Sequence, residues 1–212
     1  MLEGPGAGLP APEAVPVRRD LQHAEANLRS LVLASARNHV GATRLVLEGR
    51  DFGTDCSGYV RAVFVPLGVD PVEPRVSGSR TAMIHAWLQK RGAMLHDEPP
   101  APGDLAFFHN TYDRNGDGRP NDEFTHVALV ESVDPDGTIN LLHRDTRRVS
   151  RFRMNLERPG VERDGAEGPV LNSVLRRAGK GARLAPRLAG ELFVAFGSPV
   201  RALLAKAAAP LS

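Results

Sequence analysis

The 212-residue sequence holds one cysteine, Cys56. A single thiol excludes an internal disulfide and a thiolate-rich zinc site. Aromatic residues make up only 5% of the chain, so Leu, Val and Ala must supply most of the core. No apolar run approaches the roughly 20 residues that a membrane-spanning helix requires, and no membrane span is expected. The opening residues, Met1 to Gly8, have neither a basic nor an apolar stretch, so no export signal is visible there. A large excess of one charge is also missing, the net being +2.

What charge there is lies unevenly. From Arg144 to Ser212 there are 14 Lys and Arg against 6 Asp and Glu, a basic tail on an acidic body. Such a tail reads first as a solvated, arginine-rich face; anionic polymers such as nucleic acid or wall teichoic acids are the alternative. No interleaved aromatics support nucleic-acid binding. Nothing in the composition fixes the oligomeric state.

Residues 1–18, rich in Gly, Pro and Ala, read as a flexible leader. Asp20 is placed to cap a first helix running to about Val40, with a stripe through Leu21, Ala24, Leu28, Leu31 and Val32. After a glycine-bearing loop, Val60, Val63, Phe64 and Leu67 recur at helical spacing until Gly68. A third helix is predicted from Arg80 to Lys90. From Leu105 the period shortens: Leu105–Phe108 suits a buried strand, and Val127–Val133 and Thr138–His143 flank the turn Asp134-Pro135-Asp136-Gly137 as a β-hairpin. Helices first and antiparallel strands second indicate an α+β domain over residues 19–158. Residues 159–212 read as a basic helical extension, with helices at Val170–Ala178, Ala185–Phe196 and Val200–Ala208.

Cys56 sits where chemistry is available to it. Asp55 is a good N-cap, which puts Cys56 in the first helical turn, where the backbone N–H groups of Cys56 and Ser57 lack helical partners. A helix start favours a thiolate, and those donors suit half of an oxyanion hole. Small Ser57 and Gly58 leave room for a substrate.

Three segments, Asp55-Cys56-Ser57-Gly58-Tyr59-Val60, then Pro102-Gly103-Asp104-Leu105-Ala106-Phe107-Phe108, then Thr125-His126-Val127-Ala128-Leu129-Val130, together resemble the NlpC-type and CHAP (cysteine, histidine-dependent amidohydrolase/peptidase) domains. The resemblance covers roughly residues 21–150. It implies a papain-like fold, with the nucleophile at the start of a helix packed on a small antiparallel sheet, in bacterial cell-wall hydrolases that cut peptidoglycan stem peptides. It also implies Cys56 as nucleophile, His126 as base and His143 as the polar third member, in a periplasmic or extracellular setting. The sequence departs from the NlpC pattern before the nucleophile: the stretch from Gly41 to Thr54 has no tyrosine, leaving the rest of the oxyanion hole without an owner.

The hairpin register decides the third member. If Val133 pairs with Thr138, His143 lies opposite Ala128, on the face of His126, and Asp145 lies opposite His126 itself. If Asp134 pairs with Thr138, as in a type I turn with a glycine bulge, His143 turns to the other face. Asp145 is therefore the rival.

Between Phe108 and His126 lies an acidic insertion. Asp113, Asn115 and Asp117 alternate, with Gly118 after the third, and Asn121 and Glu123 follow. A hard cation such as calcium takes oxygen ligands spaced like this, although the twelfth position of an EF-hand-type loop falls on Phe124. The same composition suits a loop built from Asx turns. Beside a peptidoglycan hydrolase that requires no cofactor, two other functions are open: a related acyltransferase or lipid-amide hydrolase, and a catalytically silent wall-binding module.

Overall fold

The computed structural model describes residues 14–177 and 184–208, so most of the predicted leader lies outside the described residues. Helix α1 (Ala14–Asn38) begins earlier than Asp20. Two short strands, β1 (Val46–Leu47) and β2 (Arg50–Asp51), lead to α2 (Cys56–Phe64), which continues as a 3₁₀ turn, Val65–Leu67, and stops at Gly68 in the left-handed conformation. Helix α3 (Arg80–Gln89) is capped by the Ser79 hydroxyl, which accepts from the Ala82 N–H. Then come β3 (Met94–Leu95), β4 (Leu105–Phe108), β5 (His126–Val133), β6 (Ile139–Arg144) and β7 (Val149–Met154). The chain continues through β8 (Val174–Arg176), β9 (Arg187–Leu188), a four-residue helix α4 (Ala189–Leu192), β10 (Phe193–Gly197) and α5 (Pro199–Ala208).

The main sheet is antiparallel, in the order β3-β10-β4-β5-β6-β7. Alternation along the strands splits the core into two layers. Leu105, Phe107, Val127, Leu129 and Leu142 face the helices, against Tyr59, Val60 and Val63 of α2 and Val32 of α1. Ala106, Phe108, Ala128, Val130, Ile139 and Leu141 face the opposite way, against Phe152, Met154, Ala189 and Leu192. A sheet covered on both faces needs apolar residues at every position of its central strands. That is why Leu105–Phe108 is uninterruptedly apolar and wholly buried.

The predicted helical extension is corrected here. Of its three helices only the last is present, as α5; Ala178 lies outside the described residues. Residues 174–176 form a strand, and the expected helix 185–196 is broken into β9, α4 and β10. Strand β10 lies inside the main sheet, between β3 and β4, so residues 159–212 are not an appendage. Phe193, Val194 and Phe196 are better strand formers than helix formers, and the open edge of β4 supplies the backbone partners that decide the matter.

The hairpin takes neither simple register. The Asp134 N–H donates to Thr138 O, and Gly137, at φ 77°, donates to Asp134 O, so the turn is the glycine-bulge form. Val133 then pairs with Ile139 and Ser132 with Asn140. A second bulge at Glu131 shifts the ladder back by one, pairing Val130 with Leu141 and Leu129 with Leu142. The two bulges cancel, and His143 returns to the face of His126. Glu131 is buried, with Arg37 of α1 at 2.8 Å and Arg151 of β7 at 2.6 Å from its carboxylate, which ties the bulge to both neighbours.

Candidate active site

Asp55 caps α2 as expected: its backbone is extended, and its Oδ1 accepts from the Gly58 N–H at 2.7 Å and from the Ser57 hydroxyl at 2.6 Å. Cys56 is the first residue of the helix, and its backbone N–H and that of Ser57 have no backbone partner among the described residues. Gly58 has a different use from the expected one. A β-carbon there would stand 2.1 Å from the Phe52 carbonyl oxygen, so its smallness admits the preceding loop and not a substrate.

The Cys56 thiol is buried and lies 3.8 Å from the Thr81 hydroxyl at the start of α3. Burial pushes the thiol above its ordinary pKa, and the Asp55 charge adds to this. The N–H groups of Val127 and Ser57 and the Thr81 hydroxyl act the other way without prevailing. The thiolate that a helix start alone favours is thus outweighed by desolvation in the resting protein.

His126 opens β5, and its Nε2 lies 2.8 Å from Nδ1 of His143 near the end of β6. The rings meet edge to face, 4.9 Å apart, and Phe152 of β7 supports the His143 ring from 4.5 Å. Burial holds His126 well below the ordinary imidazole range, and His143 lowers it further. Burial also brings His143 down to about 4, against the upward pull of Asp145. Both rings are neutral at neutral pH.

Asp145 is engaged elsewhere. Its carboxylate accepts from the N–H groups of Arg147 and Arg148 and from the Ser150 hydroxyl, closing the β6–β7 turn. Against the effect of burial, these donors hold it at about 2. Its charge reaches the two histidines, but the hydrogen bond to His126 belongs to His143.

Cys56, Ser57, Asp55, His126, His143 and Asp145 all line one cleft of about 1160 Å³. Thr81 and Tyr112 line it too, and neither carried a signal in the sequence, because each comes to Cys56 only through tertiary packing. Tyr112, half exposed on the cleft wall, is raised in pKa first by partial burial, and an ionised Cys56 would raise it further. His109, directly after β4, accepts the Phe124 N–H at 2.9 Å and braces the loop.

In the acidic insertion the side-chain oxygens turn onto the loop's own backbone. Asp113 accepts from Gly116 and Gly118, Asn115 from the Asp117 N–H, and Asp117 from the Arg119 N–H and the Asn121 amide. Asn121 accepts in turn from the Asn115 amide, and Glu123 is exposed. Among the described residues no three His, Cys, Asp or Glu side chains gather as a metal site. These bonds are those of an Asx-turn loop.

Comparison with known proteins gives one family. Residues 47–145 match the family model of the CHAP domain, consistent with the CHAP and NlpC-type papain-like hydrolase superfamily. No curated protein matches the chain.

Proposed function

We propose, with the CHAP-domain match of residues 47–145 as premise, that this chain is a papain-like cysteine hydrolase cleaving amide bonds of peptidoglycan stem peptides outside the cytoplasm. The observation that carries the reading is the 2.8 Å contact of His126 Nε2 with His143 Nδ1, in the cleft that also holds Cys56 at the start of α2.

In the tautomer this mechanism uses, Nε2 of His126 donates to Nδ1 of His143, which leaves the His126 lone pair on Nδ1 for the thiol. His126 Nδ1 takes the Cys56 proton as sulfur attacks the scissile carbonyl carbon, and the carbonyl electrons move onto oxygen. The N–H groups of Cys56 and Ser57 stabilise that oxyanion. The imidazolium then returns the proton to the departing amine nitrogen, the C–N bond breaks and a thioester remains. Water, deprotonated by His126, attacks the thioester carbon; the carboxylate product leaves and the thiol regains its proton. His143 keeps the base in the productive tautomer and disperses the charge it gains.

A thiol held above its ordinary pKa in one cleft with neutral histidines means that proton transfer accompanies attack instead of preceding it. The buried, raised thiol also favours one alternative, the silent wall-binding module. Incubation with purified muropeptides distinguishes the two: the wild-type protein releases new amine and carboxylate ends, and Cys56→Ala releases none. No cleavage by the wild-type protein, with or without calcium, would overturn the hydrolase reading.

A further inference from the structure

The walls of the active-site cleft carry six arginines, Arg80, Arg144, Arg147, Arg148, Arg151 and Arg177, against two aspartates, Asp55 and Asp145. Three of the six are already engaged. Arg80 stands 3.6 Å from the Asp55 carboxylate, and Arg151 is held by Glu131 at 2.6 Å. Arg144 is buried and donates to the carbonyls of Thr43 and Asp145. Arg147 and Arg148 in the β6–β7 turn and Arg177 just after β8 are exposed. Their side chains make no ion pair or hydrogen bond among the described residues. Asp145 spends its carboxylate on the turn's own N–H groups, and so fixes the turn that carries Arg147 and Arg148.

We propose that Arg147, Arg148 and Arg177, which line the cleft, form an anion subsite that takes a carboxylate of the substrate peptide. The proposal rests on the hydrolase reading for the identity of its occupant. The thiol and imidazole act on an amide, so a peptide occupies the cleft, and the anionic group native to a peptide is a carboxylate. Guanidinium forks match a planar carboxylate with two parallel hydrogen bonds, and an otherwise unpaired cation loses no partner on binding. The subsite is close to the chemistry: the charge of Arg177 is felt at His143. The basic bias of the chain beyond residue 143 thus includes a part that faces the cleft instead of bulk solvent.

Alkylation of Cys56 tests the subsite without requiring turnover. Iodoacetate and iodoacetamide both form a C–S bond as C–I breaks and iodide leaves, with the thiol proton passing to solvent, but only iodoacetate is anionic. The ratio of their rate constants is measured for the wild-type protein and for Arg147→Gln/Arg148→Gln/Arg177→Gln, with melting curves confirming that the variant folds. The ratio is expected to fall about three- to tenfold in the variant, and to fall with added salt in the wild type, as screened charge–charge attraction requires. In competition, acetyl-Glu-Glu is expected to slow wild-type iodoacetamide labelling at lower concentration than acetyl-Gln-Gln. An unchanged ratio, or equal protection by the two peptides, overturns the subsite. Protection by inorganic phosphate and not by acetyl-Glu-Glu overturns the carboxylate assignment. The muropeptide assay reports separately on the hydrolase reading, so the two fail independently.

Discussion

At the scale of single residues, the third member of the proposed triad is where geometry separates two candidates of similar promise. His143 is bonded to His126 and supported by Phe152, whereas Asp145 is consumed by its turn. His143→Ala is therefore expected to lower kcat on muropeptides by about 10²- to 10⁴-fold, the range for a lost acid–base orienter. His143→Asn, which keeps an acceptor near Nε2 of His126, is expected to recover part of that loss. Asp145→Asn is expected to cost less than about tenfold, since an amide still accepts from the turn. A larger loss in Asp145→Asn than in His143→Ala would reverse the assignment. The sequence narrowed the third member to two residues, but choosing between them required a distance.

At the scale of elements, the nucleophile helix shows propensity overruled by packing. Alanine is favoured over glycine in a helix interior by about 1 kcal/mol. At position 58 the added methyl would meet the Phe52 carbonyl oxygen at 2.1 Å, and that atom is backbone. Overpacking of this kind costs about 1–3 kcal/mol, so the clash outweighs the propensity. Gly58→Ala is expected to lower the melting temperature and to shift the 52–55 loop that delivers Cys56. Calorimetry and muropeptide hydrolysis check this, and a variant that melts higher than wild type would contradict it. The β5–β6 hairpin makes the same point for register. Its turn residues specify the glycine-bulge turn, which alone would hide His143. The bulge at Glu131, anchored by Arg37 and Arg151, brings it back. Glutamate in an apolar strand gave no warning of a bulge, because its partners come from α1 and β7.

For the whole molecule, histidines held neutral link stability to pH, foremost buried His143 and half-buried His126. Their folded pKa values lie below the ordinary imidazole value of about 6.5, with His143 at about 4. Below pH 6.5 the unfolded chain binds protons that the native state refuses, so stability is full above that pH and falls as the pH drops towards 4. Each such proton contributes a slope of about 1.4 kcal/mol per pH unit. Thermal unfolding followed from pH 7.5 to pH 4.5 is expected to show a falling melting temperature. His39, His85 and His109 are also lowered by burial and add to the slope, and His143→Gln, which removes one of these groups, is expected to flatten the dependence in part. A melting temperature independent of pH over this window would show that the pair is not held neutral.

Local chemistry was determined by the sequence alone. The Asp55 cap, the first-turn position of Cys56, the helices α2 and α3, the strand Leu105–Phe108 and the hairpin turn all follow from contacts within a few residues, and so can be read along the chain. Tertiary structure decided whatever depends on residues far apart in sequence. It placed Phe193–Gly197 inside the sheet, between β3 and β4, instead of in a helix, because the backbone of β4 needed a partner. It cancelled one bulge with another, bringing His143 to His126. It also set the state of Cys56: the helix start favours a thiolate, but burial beneath α3 and β5 removes the water that a charged sulfur needs, and desolvation prevails.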